Sequence, residues 1–379
     1  MKIIPLYLPQ FHTIPENDKW WGKGFTEWVN VKSAKPLYEG HNQPRVPLND
    51  NYYDLSNIET LKWQCKIARE HGIYGFSFYH YWFNGHLLLQ KPMEMLLAHP
   101  EIEINYCICW ANHDWTNGWK ATGKAVNTLI AHDFDDEVDW VNHFNYMLQF
   151  FKDQRYIKEE NKPFLTIYIP QIIGKLTKML SLWNRLAIEN GFDGIAYLYQ
   201  SAPAFIDKSW DRSMFKYGIQ SNPDYAITVI KNATKGKVFS YVVKYSHAVK
   251  KFLHIKKGLN FALSSIDVKK YDYDDIWDII LNKTPVANNM IPTAYVDWDN
   301  TPRRQKRGSV HVGVNPEKFK KYFGQLVLKT RESYKQDKIF VFAWNEWAEG
   351  GSLEPDTRFG FGFLDAINDV LESLGEKEV

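Results

Sequence analysis

The chain has 379 residues, 45% of them hydrophobic, a composition that suits a large folded core and excludes disorder as a description of the whole. Its formal net charge of +2 argues against a nucleic-acid-binding surface spread over the molecule. The N-terminal run is broken by Pro5 and Pro9, and no apolar stretch of about 18 residues follows, so we expect a cytoplasmic protein.

Predicted β-strands alternate along the chain with helical patterns such as Asn57–His71 and Leu176–Asn190. The predicted strands are Lys2–Leu8, Ile73–Phe78, Glu103–Cys109, Pro163–Ile169, Ile195–Tyr199, Val238–Val243, Ile291–Val296 and Ile339–Ala343. Eight such units in this length predict an α/β fold, a single (β/α)8 TIM barrel over residues 1–379 with loop insertions at the rim. A doubly wound sheet would need an early glycine-rich phosphate loop, which the sequence lacks.

Aromatic residues make up 16% of the chain, with 15 Trp, 22 Tyr and 23 Phe. Many of the indoles stand beside Asn, Asp, Glu or His rather than in apolar runs. Aromatic rings next to hydrogen-bonding groups are how proteins bind the faces and edges of sugars. The composition therefore favours an oligosaccharide or polysaccharide as the substrate.

Three cysteines, Cys65, Cys107 and Cys109, lack the spacing of metal ligands. We interpret them as buried side chains in a reducing compartment. The sequence accordingly predicts neither a metal nor a cofactor.

Polar and aromatic side chains follow the first, second, third, seventh and eighth predicted strands, and a further cluster stands in the loop Gly24–Trp28. Because the carboxyl ends of barrel strands form the functional rim, we expect one pocket, walled by Trp110, Trp298 and Trp344. The candidate substrate-binding residues are His12, Glu27, Trp28, His80, Tyr81, Trp110, Asn112, Asp114, Asp297, Trp298, Asp299, Trp344, Asn345 and Trp347.

Some of these candidates have an alternative, purely structural interpretation. His80 could be a hydrogen-bonded core histidine. Glu27 and Trp28 could hold their own loop together. Asp297 and Asp299 could cap a loop instead of binding a ligand.

The last predicted strand runs directly into Trp344-Asn345-Glu346-Trp347-Ala348-Glu349, followed by two glycines. Two carboxylates three residues apart at a barrel strand's end suit the cleavage of a glycosidic bond. Two acids in one aromatic-walled pocket also drive one pKa upward, so that one is protonated and the other ionised. The alternative is a helix start, with Asn345 as its cap.

Basic residues are concentrated in Lys231–Lys270, which contains ten lysines and one acidic residue. The net charge of this segment is +9, so the rest of the chain has a net charge of −7. Apolar residues at helical spacing predict an amphipathic helix there that could lie on the inner membrane face, or else pack on the barrel. Those residues are Tyr245, Ala248, Val249, Phe252 and Leu253. Arg303, Arg304 and Arg307 could bind an anionic sugar or phosphate, although such loop residues are commonly just solvated.

The segments KIIPLYLPQFH, WWGKGFTEWVNVKSAKP, GFSFYHYWF, CWANHDWT, DWDNTPRR and AWNEWAEGGSLEPD together resemble the WbsX-type family. That family is described as glycosyltransferases and is related to the endo-acting α-mannoside hydrolases of glycoside hydrolase family 99. The resemblance covers nearly the whole chain, and Lys231–Lys270 is its weakest part.

This resemblance implies a (β/α)8 barrel and a metal-independent, retaining mechanism on an α-linked sugar with an axial 2-hydroxyl. Glu346 would be the base that activates the substrate's own 2-hydroxyl to give a 1,2-anhydro sugar. Glu349 would be the acid that protonates the leaving oxygen. HDW stands at residues 113–115 where the family usually has ENW, which leaves the sugar preference open.

The predicted function is retaining cleavage or transfer at an α-linked, mannose-like glycoside in surface-polysaccharide metabolism, such as that of O-antigen or capsule. One alternative is a glycosyltransferase that uses a nucleotide-linked or lipid-linked sugar. The sequence has no clear pair of acids to bind a metal ion beside a diphosphate, and Asp297 and Asp299 come nearest to one. The other is a non-catalytic glycan-binding barrel, which the presence of both glutamates disfavours.

Overall fold

The structure, a computed structural model, describes residues 1–119, 126–201, 210–235, 268–285 and 287–377. At its centre is a sheet of parallel segments, which we label in chain order. These are β1 (Lys2–Tyr7), β2 (Gly75–Phe83), β3 (Asn105–Trp110), β4 (Lys162–Ile167), β5 (Ala196–Ser201), β6 (Phe215–Gln220), β7 (Met290–Ile291), β8 (Thr293–Tyr295) and β9 (Lys338–Phe342).

The segments lie side by side in the order β7, β6, β5, β4, β3, β2, β1, β9, β8. β7 pairs with β6 and β8 pairs with β9, and only Pro292 separates β7 from β8. Pro292 has no N–H to donate, but its carbonyl oxygen accepts from the Phe340 N–H at 3.2 Å. The two ends of the sheet therefore meet in one interrupted strand, and the predicted (β/α)8 barrel is confirmed.

Helices cover the outside of the barrel, so the strands are buried on both faces, as in other parallel sheets. They are α1 (Ile58–Glu70), α2 (Lys91–Ala98), α3 (Glu137–Phe151), α4 (Leu176–Glu189), α5 (Asp224–Lys235), α6 (Tyr273–Asn282), α7 (Pro316–Lys329) and α8 (Gly362–Ser373). α1 and α4 occupy the two helical stretches named from the sequence. Pro15–Trp21, Glu27–Ser33 and Thr301–Arg304 are shorter helices at the rim.

Short elements complete the described structure. The small strands are His86–Leu88, Trp115–Thr116, Thr128–Ile130, Lys158–Glu159, Lys269–Asp272, Ser309–Val312, Asn345–Glu346 and Gly351–Ser352. The single helical turns are Leu48–Asp50, Asn117–Trp119, Pro170–Ile172, Gln305–Arg307, Thr330–Tyr334 and Trp347–Glu349. The turn Trp347–Glu349 lies between the paired strands Asn345–Glu346 and Gly351–Ser352, so both candidate catalytic glutamates stand in one tight hairpin.

The sixth barrel strand is Phe215–Gln220, a segment that the sequence analysis did not identify. Val238–Val243, predicted for this position, lies outside the described residues, as does the predicted amphipathic helix between 245 and 253. Phe215–Gln220 was missed because Lys216, Tyr217 and Gly218 interrupt its apolar run. Within the described part of the chain, no helix is long and apolar enough to span a bilayer.

Asparagine side chains join the ends of neighbouring strands where backbone pairing stops. The Asn345 amide accepts from the Leu8 N–H at 2.7 Å and donates to the Leu8 carbonyl at 2.9 Å, which links the ends of β9 and β1. Asn112 makes the same two bonds to Ile169, at 2.7 and 2.8 Å, beyond β3 and β4. Both asparagines are fully buried, so these bonds hold the rim without competition from water.

Replacing Asn345 with Ala should lower the free energy of unfolding by about 3 kcal/mol, because two buried backbone groups of Leu8 lose their partner. Chemical denaturation would measure the loss. Asn282→Ala removes an exposed amide at the end of α6 and should cost under about 0.5 kcal/mol. Equal losses in the two variants would contradict a structural role for the Asn345 amide.

Candidate active site

The carboxyl ends of the strands surround a cavity of about 370 Å³. It extends from the rim into the barrel, where Ile219, Thr293 and Phe340 line it. Five carboxylates and two guanidinium groups belong to its described lining, together with two tyrosines of β2 and one that follows β4. These residues are Glu27, Asp114, Asp224, Glu346, Glu349, Arg303, Arg304, Tyr79, Tyr81 and Tyr168.

Arg303 connects three of the carboxylates. It projects from the rim helix Thr301–Arg304, and its Nη1 donates to Glu349 at 2.7 Å while Nη2 donates to Glu346 at 3.2 Å. Its Nε donates to Glu27 at 3.2 Å. The side chain is only 16% exposed, so the loop interpretation made from the sequence is wrong for Arg303, whereas Arg304 is exposed.

Glu346 is the more enclosed of the two candidate catalytic glutamates, with a side chain 7% exposed against 23% for Glu349. Burial raises the pKa of Glu346 to about 8; Arg303 opposes the increase, and the negative charge of Glu349 adds to it. Its protonated form is therefore favoured relative to that of an exposed glutamate. Because the two carboxylates share one guanidinium, the charge of Glu349 acts on Glu346.

Glu354, a third glutamate of the same segment, does not line the cavity and instead supports the hairpin through hydrogen bonds. Its buried carboxylate accepts from Trp347 Nε1 at 2.6 Å, from the Tyr53 hydroxyl at 2.7 Å and from Gln64 Nε2 at 2.6 Å. Burial raises the pKa of Glu354 to about 7, and these three donors limit the increase. The bond to Trp347 fixes the residue that lies between Glu346 and Glu349 in the turn.

The cavity brings together only some of the residues predicted from the sequence. Glu27, Tyr81, Asp114, Trp298, Glu346 and Glu349 line it. The other candidates lie elsewhere in the described structure: His12, Trp28, His80, Trp110, Asn112, Asp297, Asp299, Trp344, Asn345 and Trp347. Asn112 and Asn345 are the amides that join strand ends.

The direction of side chains along β2 explains the position of His80. Tyr79 and Tyr81 face the cavity, so His80 and Trp82, which alternate with them, face the helices outside. His80 Nε2 lies 3.0 Å from His143 Nε2, and burial lowers the pKa of His80 to about 3. His80 is thus a neutral histidine packed between barrel and helix, which was the structural alternative for it.

Of the three tryptophans expected to wall the pocket, only Trp298 lines the described cavity. Trp110 ends β3 facing outward, with its ring 4.8 Å from His143 and 5.8 Å from Trp183. Trp344 is fully buried and packs 4.9 Å from Phe76. Both indoles therefore belong to the core layers, and the other indoles that line the cavity are those of Trp21 and Trp115.

Asp297 and Asp299 anchor the long rim loop that precedes α1. Asp297 accepts from Arg45 at 2.7 Å, and Asp299 lies 2.8 Å from His41 Nε2 and accepts from Gln43 at 2.7 Å. Burial alone would raise the pKa of Asp299, but hydrogen bonds from His41 and its other neighbours lower it to about 2. Both aspartates hold a loop in place, as their structural alternative predicted.

Two other candidates are buried behind the cavity wall. Trp28 Nε1 donates to the Tyr53 carbonyl at 2.8 Å, and its ring lies 4.6 Å from Phe11. His12 is 4% exposed, and burial lowers its pKa. Among the described residues, no group of three or more His, Cys, Asp or Glu side chains is arranged to hold a metal ion.

Several cavity residues were absent from the sequence-based list: Asn17, Tyr168, Asn222, Asp224 and Thr293. Asn222 and Asp224 follow β6 directly, so they form the same strand-end cluster that marked other parts of the rim. A correct assignment of β6 would have identified them. Asn17 carries no such signal, because it enters the cavity from a rim helix.

A family model described as Glycosyltransferase WbsX matches residues 3–367. Two curated proteins, each named Uncharacterized protein WxcX, come from two strains of Xanthomonas campestris pv. campestris. Each is 30% identical to this chain over 374 residues, which make up 97% of this chain and 49% of the relative. The chain thus spans about half the length of these curated relatives.

Two solved structures have a similar fold. The GH99 endo-alpha-mannosidase from Bacteroides thetaiotaomicron matches with a TM-score of 0.55 and 11% identity, over 99% of this chain and 98% of that one. A structure described as a glycoside hydrolase-like protein matches with a TM-score of 0.55 and 12% identity, over 100% and 94% of the two chains. At these identities the likeness extends to the fold alone.

Arg303→Gln should destabilise the protein in a pH-dependent way. The attraction between Arg303 and Glu346 is fully present only above the raised pKa of Glu346, and it weakens as the pH falls and the carboxylate takes up a proton. We expect a loss of about 3 kcal/mol in unfolding free energy at pH 9 and a smaller loss at pH 6, measured by urea titration.

Arg304→Gln is the matched control for this substitution, because Arg304 lines the same cavity but is exposed. Its effect should be small at both pH values. An Arg303→Gln loss that does not change between pH 6 and pH 9 would contradict the coupling to Glu346.

Proposed function

The chain belongs to the WbsX glycosyltransferase family, and from this premise we propose that it is a glycan-processing enzyme of polysaccharide metabolism. Glu346 and Glu349 carry its chemistry. The observation on which the proposal rests is the pairing of both carboxylates with one guanidinium, Arg303, in a cavity at the carboxyl ends of the barrel strands. The substrate is an oligosaccharide or polysaccharide.

The reaction is retaining cleavage or transfer at an α-linked, mannose-like glycoside. Glu346 removes the proton of the sugar's 2-hydroxyl, and the 2-oxygen attacks C1 to form a 1,2-anhydro sugar. As the bond from C1 to the leaving oxygen breaks, Glu349 gives that oxygen its proton. Water or an acceptor hydroxyl then opens the anhydro ring with the two roles reversed, so the starting configuration returns.

The pair has to carry one proton for this chemistry, and during reaction that proton has to be on Glu349. Burial, which raises the pKa of Glu346, favours that proton on Glu346 before a sugar binds. A bound sugar changes this balance, since its 2-hydroxyl donates to an ionised Glu346 and its leaving oxygen accepts from a protonated Glu349. Binding of the substrate thus favours the protonation state that the reaction needs.

A second candidate is transfer from a nucleotide-linked or lipid-linked sugar, which the presence of two guanidinium groups at the cavity favours. Arg303 already has three carboxylate partners, so of the two guanidinium groups in the described lining only Arg304 is left for a phosphate. We therefore prefer a glycoside as the donor. Membrane contact through Lys231–Lys270 stays a prediction from the sequence, because most of that segment lies outside the described residues.

Two substitutions separate the roles of the glutamates. Glu349→Gln should slow glycosides with poor leaving groups roughly 10³-fold and activated aryl glycosides far less, because an activated phenol needs little protonation. Glu346→Gln should slow both classes by about 4 kcal/mol in barrier, since no leaving group replaces the internal nucleophile. Steady-state kinetics on matched aryl and natural α-mannosides would measure this.

The control for both variants is Glu317→Gln, an exposed glutamate at the start of α7, which should leave all rates unchanged. Rates near those of the unsubstituted protein for Glu346→Gln would rule out the proposed cleavage. In that case transfer by another route, or glycan binding without catalysis, would be left.

The pH profile tests the assignment of the proton. In the unsubstituted enzyme kcat/KM should fall as the pH rises above about 8, because the pair then loses the proton that the leaving oxygen needs. In Glu349→Gln with an activated aryl substrate, only an ionised Glu346 is needed, so kcat/KM should instead rise with pH through the pKa of Glu346. An alkaline fall that persists in this variant would show that Glu346 is the proton donor.

A further inference from the structure

One wall of the cavity presents buried polar atoms without a partner in the described structure. Asn222 follows β6, is 3% exposed, and donates from Nδ2 to the Thr293 carbonyl at 2.8 Å. That bond fixes the amide, and its Oδ1 is left with no hydrogen-bond partner. Asn222 lines the cavity, so this unpaired oxygen belongs to a side chain of the cavity wall.

Thr293 contributes a second atom of this kind. It is the first residue of β8, is 3% exposed and also lines the cavity, and its Oγ1 has no hydrogen-bond partner. Buried polar atoms in folded proteins are nearly always hydrogen-bonded, because an unpaired one costs stability. Two such atoms from residues already joined to each other suggest a site that a bound molecule completes.

Asp224 places a carboxylate on the same wall, two residues beyond Asn222. Solvent reaches its side chain through the cavity. The cavity wall still removes part of the water around the carboxyl group; this desolvation and the nearby charge of Glu349 raise the pKa of Asp224 to about 6, while Lys231 opposes the change. Asp224 and Glu349, the proposed proton donor, therefore line one cavity and interact there through their charges.

We infer that Asn222, Asp224 and Thr293 form a hydroxyl-binding subsite that selects a neutral sugar ring over an acidic one. The inference rests on the proposed function and specifies its substrate class. The carboxylate of Asp224 and the free Oδ1 of Asn222 can only accept hydrogen bonds, and sugar hydroxyls donate them. A uronic acid would bring its own carboxylate to Asp224, and like charges in a confined site repel.

Binding of methyl α-D-mannopyranoside and of the corresponding methyl mannosiduronate to the full chain, measured by calorimetry at pH 7.5, tests this subsite. Thr293→Val replaces an unpaired hydroxyl with a methyl group of similar shape, so the melting temperature should stay the same or rise. Affinity for the neutral mannoside should nevertheless fall roughly 3- to 10-fold, the effect of one lost hydrogen bond.

Asp224→Asn is the second variant. It should weaken binding of the neutral mannoside roughly 10-fold, because a hydrogen bond to a charged acceptor is lost. The ratio of the affinities for the neutral mannoside and the uronate should also become smaller, because the repulsion of the uronate is removed. Asp369→Asn, which removes an exposed carboxylate on α8, is the matched control and should change neither affinity. Unchanged folding in all variants excludes a merely structural effect.

The outcomes separate this inference from the proposed function. A neutral mannoside that binds more tightly than the uronate, and loses affinity in both variants while stability is kept, supports the subsite. If the mannoside binds but both variants bind it as well as the unsubstituted protein, the subsite is wrong and the proposed function stands. If the unsubstituted protein binds neither sugar, the proposed function itself fails.

Discussion

The site depends on one guanidinium group shared by three carboxylates. Glu27, Glu346 and Glu349 come from two distant parts of the chain, and without a cation between them their charges would repel. Arg303 can bind all three because a guanidinium has five N–H donors in a fixed plane, which the single ammonium of a lysine would not reproduce. The barrel supplies the geometry, since it brings the ends of β8 and β9 next to each other.

This arrangement explains why a buried acid is tolerated beside a second one. Burial raises the pKa of Glu346, so the protein can relieve the cost of enclosing its negative charge by protonating it, while Arg303 stabilises the ionised form. Glu354 performs a different task nearby, where three donors surround a carboxylate that does not line the cavity. One short segment thus contains the two glutamates that line the cavity and a third that supports the hairpin, and only their surroundings distinguish them.

Much of the fold follows from the sequence because barrel strands buried on both faces appear as apolar runs. Seven of the eight predicted strands correspond to strands of the sheet, and β6 escaped because Lys216 and Gly218 break its pattern. The candidate site was harder to predict. A cluster at a strand end shows that polar residues are near the rim, but it does not show which face each occupies.

The errors at the rim share this cause. Along β2 the tyrosines and His80 are equally polar in sequence, yet alternation turns the tyrosines inward and His80 outward. Arg303 looked like a loop residue because its three partners are far away in sequence, between 43 and 276 residues distant. Contacts of that range are set by the closed barrel and are not visible in local composition.

The asparagines that join the strand ends have a consequence for how such a protein changes over time. The Asn345 side chain joins the carboxyl end of β9 to that of β1, and the Asn112 side chain joins the carboxyl end of β3 to that of β4. The positions of these four strand ends therefore do not depend on the loops beyond them. Substitutions in loop residues that contact neither asparagine would then leave these strand ends in place. The strand ends would stay fixed while the sequences of the loops vary. One ancestral barrel could in this way give rise to proteins that act on many different glycans.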